Sequence, residues 1–398
     1  MTKRISYIDG MRGIACILVF VNHFLMAFFP ASYLGGDTVS HIPGGLDTRY
    51  AVAPISALTN GNFWVCVFLI LSAYVLSCKI LQNADSEHAL DSISGSFLKR
   101  YFRLFLPVFF VCVLIFLMSR LGLFFNNTAA MITGSSLMTG RYEYPLSLRE
   151  LFSSSFARIW FKADETFSNS FWMLSTLFLG GFLSSILSIM AGRRNRRMLV
   201  LYGFFALIFI HLDSLYLSFV LGTALAYITI RCTDRWNAYK DSVLGRVLSV
   251  AMLCMGFFLG GYPSGVAAPE NIYRFLNHLP ETLTPYKFYH ILGACLLTAG
   301  ILGLSKIQLA LSVRPIRFLG NISFAVYLLN LPLIFSLSSG MLIWLNTTGI
   351  CSDYLLCSLI VFLTSTVTLL LLSYLFYRFI EPVCNKITDV IVSFFIRA

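Results

Sequence analysis

The chain alternates long apolar runs with short segments that are rich in charged and turn-forming residues. Ten of the runs are close to the length that an α-helix needs to cross about 30 Å of hydrocarbon. The fifth and sixth are the shortest and are separated by only a few residues, which predicts a tight helical hairpin. The pattern predicts an all-α, polytopic integral membrane bundle of about ten transmembrane helices, at residues 13–30, 62–81, 102–119, 170–191, 198–211, 214–230, 246–262, 288–305, 318–337 and 354–379.

Composition agrees with a membrane bundle. The chain has 398 residues, of which 58% are hydrophobic and only 12% are charged, and its mean hydropathy is +0.79, outside the range of soluble globular proteins. The first apolar run is long and lacks a small-residue cleavage site at its end, so we expect it to remain as a helix. We expect a single membrane domain over residues 5–385 and no appended soluble domain.

Basic residues concentrate on one side of this predicted topology. If the N-terminus is cytoplasmic, 21 of the 29 Lys and Arg residues fall in inside segments, as the positive-inside rule requires. The rule therefore predicts that both termini are cytoplasmic, and it accounts for the net charge of +11 without nucleic acid. The arginine-rich run at 193–197 is interpreted as a topology determinant that touches anionic membrane lipid.

The ten cysteines are scattered, mostly within apolar spans. The sequence contains no CxxC motif and no His/Cys group with the spacing of metal ligands, so no metal site is predicted. We interpret the cysteines as small hydrophobic core residues.

The second outside loop contains a local helix signal. In SLRELFSSSFARIWF, residues 147–161, Ser147 and Glu150 have the spacing of a capping box, and apolar side chains recur on one helical face. We expect a helix that lies along the outer membrane interface. The alternative is a lid packed over the bundle.

Two ionisable residues lie in the first apolar run. Arg12 and His23 are eleven residues apart, which is close to three helical turns, so both project from one face about 16 Å apart along the axis. Ionisable groups in a membrane span normally point into a bundle interior and mark a functional site. The alternative is that Arg12 anchors the cytoplasmic end and that His23 is a hydrogen-bonded interior histidine.

Six local patterns, in chain order, resemble those of the acyltransferase 3 family of integral membrane proteins, which move acyl groups onto sugars and other acceptors. The resemblance spans residues 5–383 and departs from the usual motifs at Ala73, at Leu177, where a glutamate is frequent, and at Asn330, where a histidine is frequent. The patterns are YIDGMRGIACILVFVNHF (7–24), NGNFWVCVFLILSAYVLS (60–77), FLKRYFRLFLP (97–107), FWMLSTLFLGG (171–181), LGNISFAVYLLNLP (319–332) and FIEP (379–382).

The resemblance implies a membrane O-acyltransferase of the bacterial, polysaccharide-modifying type. It would be an O-acetyltransferase that moves the acyl group of acyl-coenzyme A, as acetyl-coenzyme A, to a hydroxyl of a cell-surface or exported glycan. No bound cofactor is expected, and the oligomeric state is left open. We expect a multi-pass protein of the bacterial cell membrane.

Histidine has the pKa nearest neutrality, so His23 would be the general base that accepts the hydroxyl proton. Arg12 would act with it. Arg100 and Arg103, one turn apart at the cytoplasmic side, would bind the donor's phosphates through their guanidinium groups; the alternative for this pair is snorkelling side chains. The possible acceptor-binding residues are Tyr327, Asn330, Trp172 and Ser175, for which a role in helix packing is the alternative.

Two other classes of function are weighed against an acyltransferase. A transporter or flippase would show paired Gly/Pro-broken helices in two related halves, and the sequence has no such symmetry. A catalytically inactive family member that serves as a sensor or scaffold is suggested by Leu177 and Asn330, which replace polar residues frequent in relatives.

Overall fold

The computed structural model describes residues 5–83, 89–191, 197–267 and 269–396, and these residues form helices and no strands. The predicted all-α bundle is confirmed. Of the predicted basic run at 193–197, residues 193–196 lie outside the described residues, as do Lys3, Arg4 and Arg397. Ten helices coincide with the predicted spans: α1 (Ser6–Phe28), α2 (Gly61–Asn83), α3 (Ala89–Arg120), α4 (Trp172–Met190), α5 (Arg197–His211), α6 (Leu217–Arg231), α7 (Val243–Gly260), α8 (Pro285–Gly303), α9 (Arg314–Leu333) and α10 (Tyr354–Leu375).

The predicted count of ten spans is approximate. Among the described residues, seven helical stretches are long and apolar enough to cross a membrane, or eight if α8 and the helix Ser305–Leu311, bent from it by 100°, form one span. The helices α5 and α6 are apolar but shorter, with 15 residues each. Both α9 and α10 continue through a π-helical turn into a further helix, Ser339–Thr348 and Glu381–Ile396 respectively.

The connecting segments gather at two ends of the bundle. The upper end, as we call it, is formed by residues 29–60, 121–146, 212–216, 261–284 and 349–353. There the ring of His41 stacks on that of Tyr354 with centroids 4.1 Å apart, and Asn60 Nδ2 donates to the carbonyl of Tyr262 over 3.1 Å. At the opposite, lower end Lys99 pairs with Asp389 at 2.6 Å. Apart from residues 147–161, the described segments predicted outside thus share one end, and which end faces the cytoplasm stays a prediction.

A charged cluster fixes the short turn between α5 and α6, as the predicted hairpin requires. The carboxylate of Asp213 accepts hydrogen bonds from Thr284 Oγ1 at 2.6 Å and from Lys287 Nζ at 2.5 Å. Burial would raise the pKa of Asp213, but these hydrogen bonds lower it below its usual value. The turn is therefore tied to the start of α8.

Close helix packing positions the candidate site. The central helix α2 contacts α1, α4, α6 and α8, while α1 and α9 run side by side in parallel. A Cβ on Gly13 would overlap the backbone of Leu319 and Gly320, and a Cβ on Gly320 would overlap the backbone of Asp9. Small residues let membrane helices approach this closely, so α1 and α9 bring their side chains to the same depth.

The segment 147–161 is helical as predicted, and its capping box between Ser147 and Glu150 is present. It does not lie across the upper end, however. It starts where Leu146 N bonds Ser119 Oγ, and further down the carbonyl of Phe156 accepts from the hydroxyl of Tyr101. Ser119 and Tyr101 are eighteen residues apart on α3, about 27 Å along its axis. The segment therefore descends beside α3 instead of lying along the outer interface, and it does not close over the bundle as a lid.

The interpretation of all cysteines as core hydrophobes is wrong for two of them. Cys351 and Cys357 form a disulfide at the upper end, where the chain enters α10. The other eight cysteines are free, and five of these are buried. The pair could not be recognised from sequence because neither cysteine is part of a spacing motif.

Candidate active site

His23 and Asn330 meet across the interface of α1 and α9. His23 Nδ1 lies 2.7 Å from Asn330 Oδ1, and Asn330 Nδ2 donates to the carbonyls of Val326, at 3.0 Å, and Tyr327, at 2.7 Å. These two donor bonds fix which end of the amide faces the histidine, so Asn330 Oδ1 is the acceptor and His23 Nδ1 carries the proton. In the neutral ring, His23 Nε2 is then left as a proton acceptor.

Tyr327 connects this pair to the start of α4. Its hydroxyl donates to the carbonyl of Ser170, two residues before Trp172, the first residue of α4. Tyr327 lies one helical turn below Asn330, so α4 begins close to the depth of His23. Of the predicted site residues, Asn330 contacts the histidine, Tyr327 lies one turn below it on α9, and Trp172 begins the helix to which Tyr327 is bonded.

Ser175 serves another contact. Its hydroxyl donates to the carbonyl of Trp160 over 2.9 Å, and Trp160 is fully buried at the end of the segment 147–161. Ser175 therefore ties that segment to α4 and has its hydroxyl proton committed to a backbone carbonyl. Its predicted part in acceptor binding stays a prediction.

Two guanidinium groups lie in the bundle below the histidine. Arg12 is on the His23 face of α1, with its guanidinium carbon 4.9 Å from the ring centroid of Phe68. Arg100 Nη2 donates to the carbonyl of Leu177 over 2.9 Å. Leu177 lies seven residues below Ser170, or about 10 Å, and Ser170 is bonded to Tyr327, one turn below Asn330, so Arg100 reaches a level roughly 15 Å below the histidine.

Arg100 lies against the backbone of α4. A Cβ at Gly181 would overlap the guanidinium of Arg100, so glycine at this position makes room for the side chain. Arg100 Nε is buried and has no hydrogen-bond partner among the described residues, and Arg12 and Arg100 are within range of electrostatic interaction. Two like charges in an apolar interior, one with an unused donor, form a region that favours a negatively charged or carbonyl-rich ligand.

Arg103 is not part of this group. It is exposed, and its Nε donates to Asn385 Oδ1 over 3.2 Å on the helix Glu381–Ile396. Three residues along a helix turn the side chain by about 300°, and here that rotation points Arg100 towards α4 and Arg103 towards a different helix. The structure therefore separates the two predicted donor-binding arginines.

Comparison with known proteins identifies the family. A family model described as an acyltransferase domain matches residues 5–378. The chain belongs to the acyltransferase 3 family. Two relatives named acyltransferases match this family member over almost its whole length. Acyltransferase clz18 of Cochliobolus lunatus is 21% identical over 457 positions, covering 96% of this chain and 95% of the relative. Acyltransferase R4 of Phoma sp. is 20% identical over 463 positions, with the same coverage.

A third relative of this acyltransferase matches a shorter stretch. O-acetyltransferase PaAT-1 of Phomopsis amygdali is 29% identical over 126 residues, covering 31% of this chain and 24% of the relative. No solved structure matches the chain. The family model and the named relatives show a membrane-embedded acyltransferase of groups other than aminoacyl groups.

The sequence indicated the acyltransferase's histidine but not its partner. The sequence predicts acceptor binding for Asn330, which stays a prediction, and gives no sign that its Oδ1 hydrogen-bonds His23. The two residues are 307 positions apart, so no local spacing connects them. The available signal was that each is a polar residue within an apolar span, where such residues are rare and face the bundle interior.

Proposed function

We propose that the protein transfers an acyl group, acetyl in the simplest case, from acyl-coenzyme A to a hydroxyl group of its acceptor. The observation that carries this proposal is the hydrogen bond from His23 Nδ1 to Asn330, whose amide is itself fixed by two backbone carbonyls. A histidine held in one tautomer, with its second nitrogen free to accept a proton, is the arrangement that general-base catalysis needs.

The reaction then follows from the position of that nitrogen. The acceptor O–H hydrogen-bonds to His23 Nε2, which takes the proton as the oxygen attacks the thioester carbonyl. The tetrahedral intermediate collapses, the C–S bond breaks, and the imidazolium returns the proton to the thiolate. The products are an O-acyl ester and free coenzyme A, and the histidine is regenerated.

Arg12 and Arg100 would act on the donor. They place positive charge within the bundle roughly 15 Å below the histidine, and the unused Nε–H of Arg100 is available to a carbonyl or anionic oxygen of the donor. Their side chains would draw the donor in and align its thioester with His23. Arg103, at the surface, would contribute only long-range attraction.

The acceptor is proposed to be a cell-surface or exported glycan, as the motifs suggest, and transfer to oxygen is supported by the name of one relative, an O-acetyltransferase. Tyr327, one turn from Asn330, and Trp172, two residues after the Ser170 carbonyl that Tyr327 binds, would contact the sugar. The Tyr327 hydroxyl already donates to Ser170, so it would offer the acceptor a lone pair. A bacterial membrane remains the predicted location.

An inactive scaffold is the less favoured alternative. Asn330, one of the two departures that suggested it, keeps a hydrogen-bond acceptor against His23. Leu177, the other, supplies its backbone carbonyl to Arg100. Both contacts retain polar interactions that an active centre requires.

The test uses purified full-length protein in lipid nanodiscs with acetyl-coenzyme A, and it measures free thiol release and acetylated acceptor. Loss of a general base lowers the rate by about 10² to 10⁴ fold, so we expect His23→Asn to lose transfer by that factor. His278→Asn, which changes an exposed upper-end histidine, is the matched control and should be normal. Added imidazole should partly restore His23→Ala. Normal transfer by His23→Asn would remove the histidine from the mechanism.

A further inference from the structure

A second charged site lies at the lower end of the same two helices. A cavity of about 380 Å³ opens between the beginnings of α1 and α9. None of its lining residues was singled out by the sequence motifs as a ligand-binding residue. They are Ser6, Asp9, Arg314, Arg317, Phe318 and Asn321.

The cavity favours a phosphate-bearing ligand. Arg314 and Arg317 are both exposed to it, and guanidinium groups bind phosphate oxygens in bidentate pairs. Arg314 is also the first residue of the 20-residue helix α9, whose N-terminus has no side-chain cap and adds partial positive charge. Asp9 offsets one of the two cations, so the lining keeps a net positive charge.

The remaining lining residues favour a nucleotide over a lipid headgroup. Phe318 is 39% exposed and presents an aromatic ring on which a nucleobase can stack. Asn321, Ser6 and Asp9 supply donors and acceptors for a base edge or a ribose hydroxyl. The Phe318 ring also packs against Tyr374, with centroids 5.9 Å apart, but a phospholipid headgroup would leave the amide of Asn321 without a role.

The cavity lies on the histidine side of α1. At about 100° per residue, Asp9 and Arg12 project within about 40° and 20° of His23, so the route from the cavity to the histidine follows this face of α1. Arg317 and Asn330 are thirteen residues apart, about 20 Å along α9, and project about 140° apart around it. An extended pantetheine arm has about the contour length of four amino-acid residues, roughly 14 Å. The diphosphate and the arginine side chains span the remainder.

We propose that this cavity binds the nucleotide end of acyl-coenzyme A, with Arg314 and Arg317 on its phosphates and Phe318 on its base, while the pantetheine arm runs up past Arg12 and Arg100 to His23. The proposal rests on the proposed function, because it names where the donor of that reaction is held. It assigns the phosphates to residues other than Arg100 and Arg103.

The test compares two donors with and without the cavity arginines. Acyl-coenzyme A and acyl-pantetheine carry the same thioester, but only the first has the nucleotide. In the double variant Arg314→Gln, Arg317→Gln we expect KM for acyl-coenzyme A to rise about tenfold or more, kcat to change little, and KM for acyl-pantetheine to stay the same. Arg246→Gln, which changes an exposed arginine at the same end, should leave both donors unaffected.

Several outcomes would overturn the proposal. An unchanged KM for acyl-coenzyme A would do so, as would an equal loss with both donors. Loss of co-purifying anionic phospholipid from the double variant, with normal donor kinetics, would assign the cavity to lipid. If the double variant does not accumulate, Phe318→Leu is used instead and should raise KM for acyl-coenzyme A but not for acyl-pantetheine. An unchanged KM in this variant would count against the site.

A binding measurement separates this proposal from the proposed function. Adenosine 3′,5′-bisphosphate has the nucleotide but no thioester, and it should raise the thermal stability of the parent protein and not of the double variant. If the parent transfers no acyl group and this difference is still seen, the proposed reaction fails and the nucleotide site stands. If the parent transfers the acyl group but the bisphosphate does not stabilise it more than the double variant, the nucleotide site fails and the proposed reaction stands.

Discussion

At the scale of single residues, the candidate site depends on two polar side chains held within apolar helices. His23 provides a proton acceptor only if its other nitrogen carries the proton, and Asn330 enforces that state through Oδ1. Asn330 can do so because its own amide hydrogens are occupied by Val326 and Tyr327. In the proposed reaction it is a positioning residue, since it would act through His23 and would not need to touch the acceptor.

Replacing Asn330 tests this role. Asn330→Leu keeps the branched shape and the number of side-chain heavy atoms but removes the acceptor for His23 Nδ1, so the imidazole can take up the other tautomer. Loss of such an orienting partner commonly costs about 10- to 100-fold in activity. We expect kcat to fall by that factor with KM for the donor unchanged. Asn330→His, which restores an acceptor, should recover most of the activity. Equal losses in both variants would indicate a packing role only.

The RxxR pair offers a second test, because the structure separates its members. Arg100→Gln removes a buried cation from the bundle, and a hydrogen bond to a charged group contributes roughly 1.5–3 kcal/mol. KM should therefore rise about tenfold or more for both acyl-coenzyme A and acyl-pantetheine. Arg103→Gln changes an exposed side chain that contacts Asn385 and is the matched control, with KM within about twofold. A larger effect at Arg103 would contradict this assignment.

Some of this site could be predicted from the sequence, and some could not. The eleven-residue spacing of Arg12 and His23 places both on one face by helix geometry alone, and the structure has both facing the bundle interior. The partner of His23 and the divergence of Arg100 from Arg103 depend on which helices pack together. That arrangement is tertiary, and no pattern within one span contains it.

At the scale of the elements, the pairing of α1 with α9 sets the distance between His23 and Asn330. The two backbones approach most closely at Gly13 and Gly320, where added side-chain atoms would overlap the neighbouring helix. Any separation of the helices at this point would be transmitted along both of them to the histidine pair.

A glycine substitution measures that dependence. In Gly320→Ala the new methyl group meets the backbone of Asp9, so we expect a loss of about 1–3 kcal/mol in stability, as for other overpacked positions, and reduced transfer. Gly203→Ala is the control, because a Cβ there meets nothing within 4 Å and alanine is the better helix former. Thermal unfolding in nanodiscs measures the loss of stability, and kcat measures the loss of transfer. If Gly320→Ala changes neither thermal stability nor kcat, the close approach of α1 and α9 is not required for the histidine pair.

The sequence predicts which segments are helical better than it predicts where those helices lie. Apolar length identified every one of α1 to α10, and the Ser147–Glu150 pattern correctly marked a helix start. The depth of segment 147–161 was not predictable, because an apolar helical face indicates that something apolar covers it but not whether that is lipid, the bundle or α3. The contacts of Phe156 and Tyr101 decide it in the structure.

At the scale of the whole molecule, two independent features favour the same orientation, which stays a prediction. The partition of basic residues predicts that the lower end faces the cytoplasm. The disulfide between Cys351 and Cys357 lies at the upper end, and disulfides persist in oxidising compartments outside the cytosol. The cavity proposed for the donor's nucleotide is at the lower end, which is where cytoplasmic acyl-coenzyme A would arrive.

The orientation can be tested in intact cells. Gly140 lies in an upper-end loop with open space around it, so a reporter inserted there should report the outside, while one fused after Ala398 should report the cytoplasm. A cysteine introduced by Tyr144→Cys, at an upper-end position whose side chain is 80% exposed, should be labelled by a membrane-impermeant maleimide without permeabilisation. Cys232, a partly exposed thiol at the lower end of α6, is the matched control and should react only after the membrane is opened. If both reporters are found on one side, the predicted alternation of spans is wrong. If Cys232 is labelled in intact cells, the orientation is the opposite of the predicted one, and the nucleotide cavity faces away from its donor.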